Sequence, residues 1–221
     1  MSGGDFKSNP YWCGSPSIDE IAPQLFVGDV VAALDPLTLQ KHNITAVVTL
    51  LAKSLDDNVD KQASEGYPQM QNKLLEIRRT MVPRSRNLHI PLFDSNDQDM
   101  LGRMPEICDF IDQHLHNFYD GNALVHCYAG SSRSPAAAMA YLMRKDHADF
   151  GSTFALMRQK RGRTDISQAF LKQLKTWKEV GYDPWEYDSR GKVQKREYAE
   201  LLEHLEHVVL EEKWMNMSIY D

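Results

Sequence analysis

Short apolar runs and longer amphipathic stripes alternate along this chain of 221 residues, and the two patterns predict different elements. Four short apolar runs predict strands at 25–27, 45–51, 87–92 and 122–126. The run at 45–51 is almost continuously apolar, which is typical of a strand covered on both faces. The last run leads directly into a loop of small and polar residues.

Between and after these runs, apolar residues recur at helical spacing. One stripe runs from Leu101 to Phe118 and includes Cys108, which we interpret as a core residue rather than a redox partner. Asp35 and Pro36 supply the N-cap and first-turn proline of a short helix. Three later helices are predicted to begin at Ser134, after the cap Asp149 and after the cap Ser167. This order predicts an α/β fold, with a mainly parallel central sheet flanked by helices.

Three segments extend beyond this pattern. The polar first 17 residues predict a loose tail, and the 52–86 stretch is longer than an ordinary connection, with a helix near 71–79. The 193–213 stretch predicts a long helix, which we expect to pack on the same domain; binding to a partner is the alternative. The expected organisation is a tail at 1–17, a main domain at 18–182 and a C-terminal helical extension at 183–221.

The loop after the last strand carries the candidate chemistry, in the string Val125-His126-Cys127-Tyr128-Ala129-Gly130-Ser131-Ser132-Arg133-Ser134-Pro135. Gly130 lets the backbone curl so that successive N–H groups form an anion-binding nest. Pro135 suits the first turn of a helix, whose positive end then faces the same anion. Arg133 can bind two phosphate oxygens at once, and this positive field favours the thiolate of Cys127. The loop therefore predicts a phosphate site with a cysteine nucleophile.

Two other interpretations of Cys127 are weaker. A cysteine after an apolar run is usually a small buried hydrophobe, but that leaves Gly130, the two serines and Arg133 unexplained. Zinc binding would need further cysteine or histidine ligands at a suitable spacing, and none lies near Cys127. We expect neither a metal nor another cofactor.

The string His-Cys-x-x-Gly-x-Ser-Arg-Ser resembles the signature of the cysteine-dependent protein phosphatases, and its form at 129–134 resembles their dual-specificity branch. The resemblance extends from about Ile18 to Tyr182. Within it, the segments 21–29, 44–50 and 170–174 are similar to the opening strand, the core strand and the last helix of that domain. It therefore implies a cysteine-phosphatase fold.

The resemblance also implies roles for individual residues. Cys127 is the nucleophile that forms a cysteinyl-phosphate, and Asp94 is the general acid, because Ile90 to Asp94 with Met100 six residues later matches the family pattern. A turn or capping role is the alternative for Asp94, and Asp97 is the reserve acid. The phosphate oxygens are held by the residues of the loop: Tyr128, Ala129, Gly130, Ser131, Ser132 and Arg133.

Two residues that flank the phosphate-binding loop, His126 and Ser134, are expected to have supporting roles. Ser134 is expected to donate a hydrogen bond to the Cys127 sulfur; the other role considered is capping of the next helix, and the two roles are compatible. His126 is expected to fix the loop rather than act as a base. The 161–170 segment departs from the family pattern. Its arginines form part of a basic cluster that we interpret as a solvated helix end, with binding of acidic phosphosubstrates as the alternative: Arg158, Lys160, Arg161 and Arg163.

Composition narrows the functional class. Three cysteines are too few for a disulfide framework, which favours a reducing compartment and a cytoplasmic or nuclear location. The net charge of −6 argues against a general nucleic-acid binder. The chain starts without an apolar signal segment, and no apolar run approaches the length of a membrane span, so we expect no membrane partner.

The leading hypothesis is a protein phosphatase acting on phosphotyrosine and on phosphoserine or phosphothreonine. One alternative is a phosphatase of inositol lipids or RNA 5′ ends, although such relatives carry extra lysine or histidine in the loop. Another is a phosphoprotein-binding module, which would ordinarily lack the nucleophile, the arginine or the acid. Arg78 and Arg79 weakly resemble a docking peptide for a kinase partner, and a helix end is the favoured alternative.

Overall fold

The computed structural model describes residues 15–52, 78–117, 121–189 and 191–217. The strands in these ranges are β1 (Ile18–Ala22), β2 (Leu25–Gly28), β3 (Ile44–Leu50), β4 (Asn87–Ile90), β5 (Asn122–His126), β6 (Trp185–Asp188) and β7 (Gly191–Gln194). The helices are α1 (Val30–Leu34), α2 (Pro36–Lys41), α3 (Met104–Asn117), α4 (Arg133–Asp146), α5 (Phe150–Lys160), α6 (Gln168–Glu179) and α7 (Arg196–Met217). Short 3-10 helices precede β4 and α3, at Arg84–Arg86 and Leu101–Arg103.

Five strands form the central sheet in the order β1-β2-β5-β3-β4. Only β1 runs antiparallel to its neighbour, and β2, β5, β3 and β4 are parallel to one another. The prediction of a mainly parallel sheet flanked by helices is therefore confirmed.

Strand β3, which lies between β5 and β4 in the sheet, shows why its run of residues is almost continuously apolar. Ala46, Val48 and Leu50 pack into the core formed with α3 to α7, whereas Ile44 and Val47 pack into a second cluster on the opposite face. Helices α1 and α2 contribute to that second cluster through Ala33 and Leu39. Both faces of the sheet are thus covered, as expected for a parallel sheet.

The register of the parallel strands brings three loops to one edge of the sheet. Gly28 of β2 and Thr49 of β3 both pair with His126, the last residue of β5. The segments that follow β2, β3 and β5 therefore leave the sheet side by side, where open α/β sheets bind their ligands.

The caps and the core cysteine agree with the sequence pattern. Asp35, Asp149 and Ser167 each accept a backbone N–H at the start of α2, α5 and α6. Cys108 is fully buried in α3, and burial raises the pKa of its thiol to about 12. The interpretation of Cys108 as a core residue is confirmed.

The C-terminal extension differs from its prediction at its start. Val193 and Gln194 pair with Glu186 and Trp185 in a β-hairpin of β6 and β7, so the helix begins at Arg196 rather than at residue 193. The apolar stripe of α7 packs on the main core through residues that it buries: Tyr198, Leu201 and Leu205.

Most of the 52–86 insertion, including most of the helix expected at 71–79, lies outside the described residues. Its last part is helical at residues 78–81 and leads through Arg84–Arg86 into β4. The tail predicted at 1–17 is described only from residue 15. In the described parts of the chain, no helix combines the length and apolarity needed to cross a membrane.

Candidate active site

The segment between β5 and α4, residues 127–132, is the phosphate loop predicted from the sequence. Gly130 has a φ of +69°, and a Cβ there would lie 2.5 Å from Arg161 Nη2 and 2.6 Å from the Gly28 carbonyl oxygen. Only glycine meets both requirements without strain. The loop ends where Arg133 begins α4, so the positive end of that helix faces the loop.

Three carbonyl groups of the loop are bound from outside. Tyr128 O accepts from Val30 N at 3.1 Å, and Ser131 O accepts from Asp165 N at 2.8 Å. Gly130 O accepts from Arg161 Nε at 2.7 Å. A trans peptide places each carbonyl opposite the next N–H, so the N–H groups of residues 129, 131 and 132 turn toward the concave side. This arrangement is an anion-binding nest, as the glycine position predicted.

Cys127 lies at the base of the loop and is 1% exposed. Its Sγ accepts hydrogen bonds from Gly130 N at 3.2 Å and from the Ser134 hydroxyl at 3.3 Å. Both donors stabilise a thiolate more than a thiol. The Ser134 hydroxyl also lies 3.4 Å from the Gly28 carbonyl and caps no helix, so the capping role considered for Ser134 is wrong.

Backbone carbonyl groups at the edge of the sheet, rather than water, bind the Arg133 side chain. Its Nη1 donates to the carbonyl of Leu50, the last residue of β3, at 3.2 Å and to the carbonyl of Leu92, which follows β4, at 2.9 Å. Its Nε is buried without a hydrogen-bond partner and lies 3.6 Å from Asp94 Oδ2, an ion-pair distance. A buried donor without an acceptor is costly, so this N–H suits an anion bound in the loop.

Asp94 follows β4 and reaches the phosphate loop. Its Oδ1 accepts a hydrogen bond of 2.8 Å from the Ser132 hydroxyl, and its side chain is 38% exposed. Asp97, the reserve acid, instead accepts from Ser95 and Gln98 within its own loop, and the Ser95 bond lowers the pKa of its carboxyl. The contacts of these two aspartates favour Asp94 for the acid role.

His126 is fully buried at the end of β5, beside Thr49 of β3. One ring nitrogen lies 2.8 Å from the Thr49 hydroxyl, and the other lies 3.4 Å from the Cys127 carbonyl. Burial, with a smaller effect of the Arg78 charge, lowers the pKa of this imidazole to about 3. A neutral ring that joins two strands fits the structural role predicted for His126.

Arg161 was misjudged from the sequence. It is fully buried, not part of a solvated helix end, and it forms an ion pair with Asp19 of β1. The same guanidinium donates to Gly130 O and to the Ser17 hydroxyl at 3.1 Å. No local feature of the sequence separates Arg161 from the basic residues around it, so its burial could not be predicted. Arg161 therefore supports the phosphate loop from behind.

The site can now be compared with known proteins. The model of the dual specificity phosphatase catalytic domain matches residues 25–180. Dual specificity protein phosphatase MPK-4 of Drosophila melanogaster is 30% identical over 168 residues, which are 76% of this chain and 38% of that protein. Mouse dual specificity protein phosphatase 12 is 29% identical over 165 residues, which are 74% of this chain and 42% of that protein. The chain thus spans about two fifths of the length of these two relatives.

A solved structure shows the same fold. The Yvh1 phosphatase domain from Chaetomium thermophilum shares 26% identity with this chain and superimposes with a TM-score of 0.59. The match covers 75% of this chain and 97% of that domain. The resemblance inferred from the phosphate loop is confirmed: the chain belongs to the dual specificity phosphatase family.

Proposed function

We propose that this protein hydrolyses phosphate monoesters on protein side chains through a cysteinyl-phosphate intermediate. One observation supports this most strongly. The Asp94 carboxylate accepts a hydrogen bond from Ser132 in the phosphate loop and lies at ion-pair distance from Arg133, which follows the loop. In the same loop, the Gly130 N–H donates to the Cys127 sulfur. Phosphoryl transfer needs a nucleophile, an anion site and an acid placed around the bound phosphate, and this site has all three.

In the first step the Cys127 thiolate attacks phosphorus as the bond to the leaving oxygen breaks. Protonated Asp94 gives its proton to that oxygen, while Arg133 and the inward N–H groups stabilise the three equatorial oxygens. In the second step a water attacks phosphorus and gives a proton to the Asp94 carboxylate. The sulfur–phosphorus bond breaks, and the Ser134 hydroxyl stabilises the departing thiolate.

The substrates we propose are phosphorylated proteins, from which the enzyme removes the phosphate of phosphotyrosine and of phosphoserine or phosphothreonine. The further phosphate groups of an inositol lipid or an RNA end would favour additional cations in the loop, but Tyr128, Ala129, Ser131 and Ser132 add none. A phosphoprotein-binding module without catalysis is also disfavoured, because Cys127, Arg133 and Asp94 are all present and assembled. A thiolate nucleophile needs reducing conditions, so a cytoplasmic or nuclear location belongs to the proposal.

The docking hypothesis for Arg78 and Arg79 receives no support from the contacts of Arg78. Arg78 is 3% exposed, and it donates to the Ala33 carbonyl at 3.0 Å and to Asn87 Oδ1 at 2.6 Å. This side chain joins the end of the insertion to α1 and β4. We therefore leave kinase docking by Arg78 out of the proposed function.

A trapping experiment tests the proposal. Asp94→Ala removes the acid and keeps the phosphate loop, so the variant should retain phosphoproteins from a phosphatase-inhibited lysate and release them with vanadate. Asp97→Ala is the matched control and should hydrolyse its substrates and retain none. Equal retention by the two variants, or retention that vanadate does not reverse, would contradict the assignment of Asp94.

A further inference from the structure

The segment 91–100, which we call the acid loop, carries Asp94 and is fixed at its far end by α6. Gln173 is fully buried, and its Oε1 accepts from Met100 N at 2.8 Å and from Leu101 N at 2.9 Å. Its Nε2 donates to the Gln98 carbonyl at 2.8 Å. One side chain of the catalytic domain thus holds the last residues of the acid loop.

A second contact to the acid loop comes from outside the family domain. Asp99 Oδ1 accepts from Gly102 N at 2.9 Å, and Asp99 Oδ2 accepts a hydrogen bond of 2.6 Å from the Tyr198 hydroxyl. Tyr198 lies on α7 and is 3% exposed, and it follows the family match at 25–180 by 18 residues. Burial raises the pKa of Tyr198, which keeps its hydroxyl the donor of this bond.

The hairpin and α7 hold Tyr198 in a rigid setting. The Trp185 ring packs edge-on against the Tyr198 ring, with their centroids 5.4 Å apart, and Lys192 Nζ lies 4.4 Å from the centre of the Trp185 ring. Lys195 Nζ donates to the Val180 carbonyl at 2.7 Å, which ties the start of α7 to the end of α6. Contacts with the hairpin and with the end of α6 therefore help to fix the position of Tyr198.

We propose that the C-terminal extension positions the general acid, with Tyr198 as a positioning residue that acts on Asp94 through Asp99 and the acid loop. The inference rests on the proposed function, since it assigns Asp94 the acid role. A loss of the Tyr198 hydroxyl should loosen the acid loop. Proton transfer from Asp94 would then be slower, while the structure of the phosphate loop and of its Cys127 nucleophile would not change.

Leaving-group dependence tests this proposal. Tyr198→Phe removes the hydroxyl and keeps the ring against Trp185. We measure kcat/KM for aryl phosphates of increasing leaving-group pKa, because this quantity covers the steps up to release of the phenol. The variant should lose about tenfold on the poorest leaving group and less than about twofold on the most activated one, which needs little protonation. Tyr187→Phe is the matched control, since Tyr187 is 80% exposed on the same hairpin, and it should match the wild type.

A combined variant distinguishes positioning from a general loss of structure. Added to Asp94→Asn, Tyr198→Phe should have no further effect, because the acid is already absent. Equal losses on all leaving groups, or a full additional loss in the Asp94→Asn background, would overturn the proposal.

Asp99→Asn changes the same contact from its other side, so the test does not depend on the folding of Tyr198→Phe alone. Asp99→Asn keeps an oxygen for Gly102 N and weakens the bond from Tyr198, so it should show the same selective loss. An unchanged leaving-group profile in Asp99→Asn would count against the proposal. If the wild type and Asp94→Asn behave as the proposed function requires but Tyr198→Phe equals Tyr187→Phe, only this inference fails. If the wild type hydrolyses nothing, the proposed function fails with it.

Discussion

Replacement of the buried Arg161 by methionine should weaken both the fold and the catalytic site. Methionine fills much of the same space but has no donor for Gly130 O, Ser17 or Asp19. The phosphate loop would lose the bond that turns the Gly130 carbonyl outward. The neighbouring N–H groups would then no longer be held in one direction.

The magnitude follows from two of those partners, Gly130 O and Asp19, because Ser17 is only half-buried and its hydroxyl can bond to water instead. A buried carbonyl left without a donor costs about 1–3 kcal/mol. The ion pair adds only about 1 kcal/mol, because the Asp19 side chain is 42% exposed and water can solvate it once the pair is broken. The free energy of unfolding should therefore fall by about 2–4 kcal/mol. For a protein of this size that corresponds to a Tm lower by roughly 5–15 °C. A displacement of the loop by about 1 Å should lower kcat/KM by up to about 100-fold.

Thermal unfolding and aryl phosphate hydrolysis, measured well below the lower Tm, test the two effects separately. Arg163→Met is the matched control, since Arg163 is exposed two residues along the chain, and it should change neither quantity appreciably. A variant with normal Tm and normal kcat/KM would refute the reasoning. A lower Tm with normal kcat/KM would show that Arg161 stabilises the fold without shaping the phosphate loop.

Three further outcomes are expected. Arg133→Lys should lower kcat/KM by about 100-fold or more, since one ammonium cannot replace the fork held by two carbonyls; more than half the wild-type value would contradict this. Mild peroxide should oxidise Cys127 first and reversibly, as mass mapping would show, while Cys108 stays reduced; oxidation of Cys13 first with activity intact would contradict this. The depressed pKa of His126, about 3 against about 6.5 when unfolded, means that the unfolded chain takes up the proton first. The free energy of unfolding should therefore fall as the pH drops from about 6.5 toward 3, by up to about 1.4 kcal/mol per pH unit, and His126→Asn should show a shallower fall in urea titrations; an equal fall in both proteins would contradict a neutral His126.

Local patterns predicted the elements that deliver the site. The sequence pattern located β2, β3, β4 and β5 to within about two residues. Strands β2, β3 and β5 are buried on both faces, where nearly continuous apolar sequence is needed. Gly130, Arg133 and Cys127 could be assigned from one string, since the phosphate nest is built from consecutive residues. Asp94 required the family pattern, because nothing local distinguishes it from Asp97.

Long-range partners are what the sequence did not reveal. Arg161 pairs with Asp19 across 142 positions, and in the sequence it stands among exposed basic residues, so its burial has no local signature. Tyr198 lies in the stretch predicted to form the last helix, but its hydroxyl bond to Asp99 depends on how that helix packs. The β6–β7 hairpin is short and half exposed, so its strands lack the apolar alternation that predicts a strand.

The central claim is that Cys127 forms a covalent bond to phosphorus, and acid quenching during turnover tests it most directly. Mass spectrometry of the quenched wild-type protein with a phosphotyrosyl peptide should place one phosphoryl group on the peptide that contains Cys127. Asp94→Asn should carry a larger fraction if removal of the base slows hydrolysis of the intermediate more than its formation. Cys127→Ser should carry no phosphocysteine and should not turn over. Turnover by Cys127→Ser at the wild-type rate, or a phosphoryl group on another residue, would contradict the account.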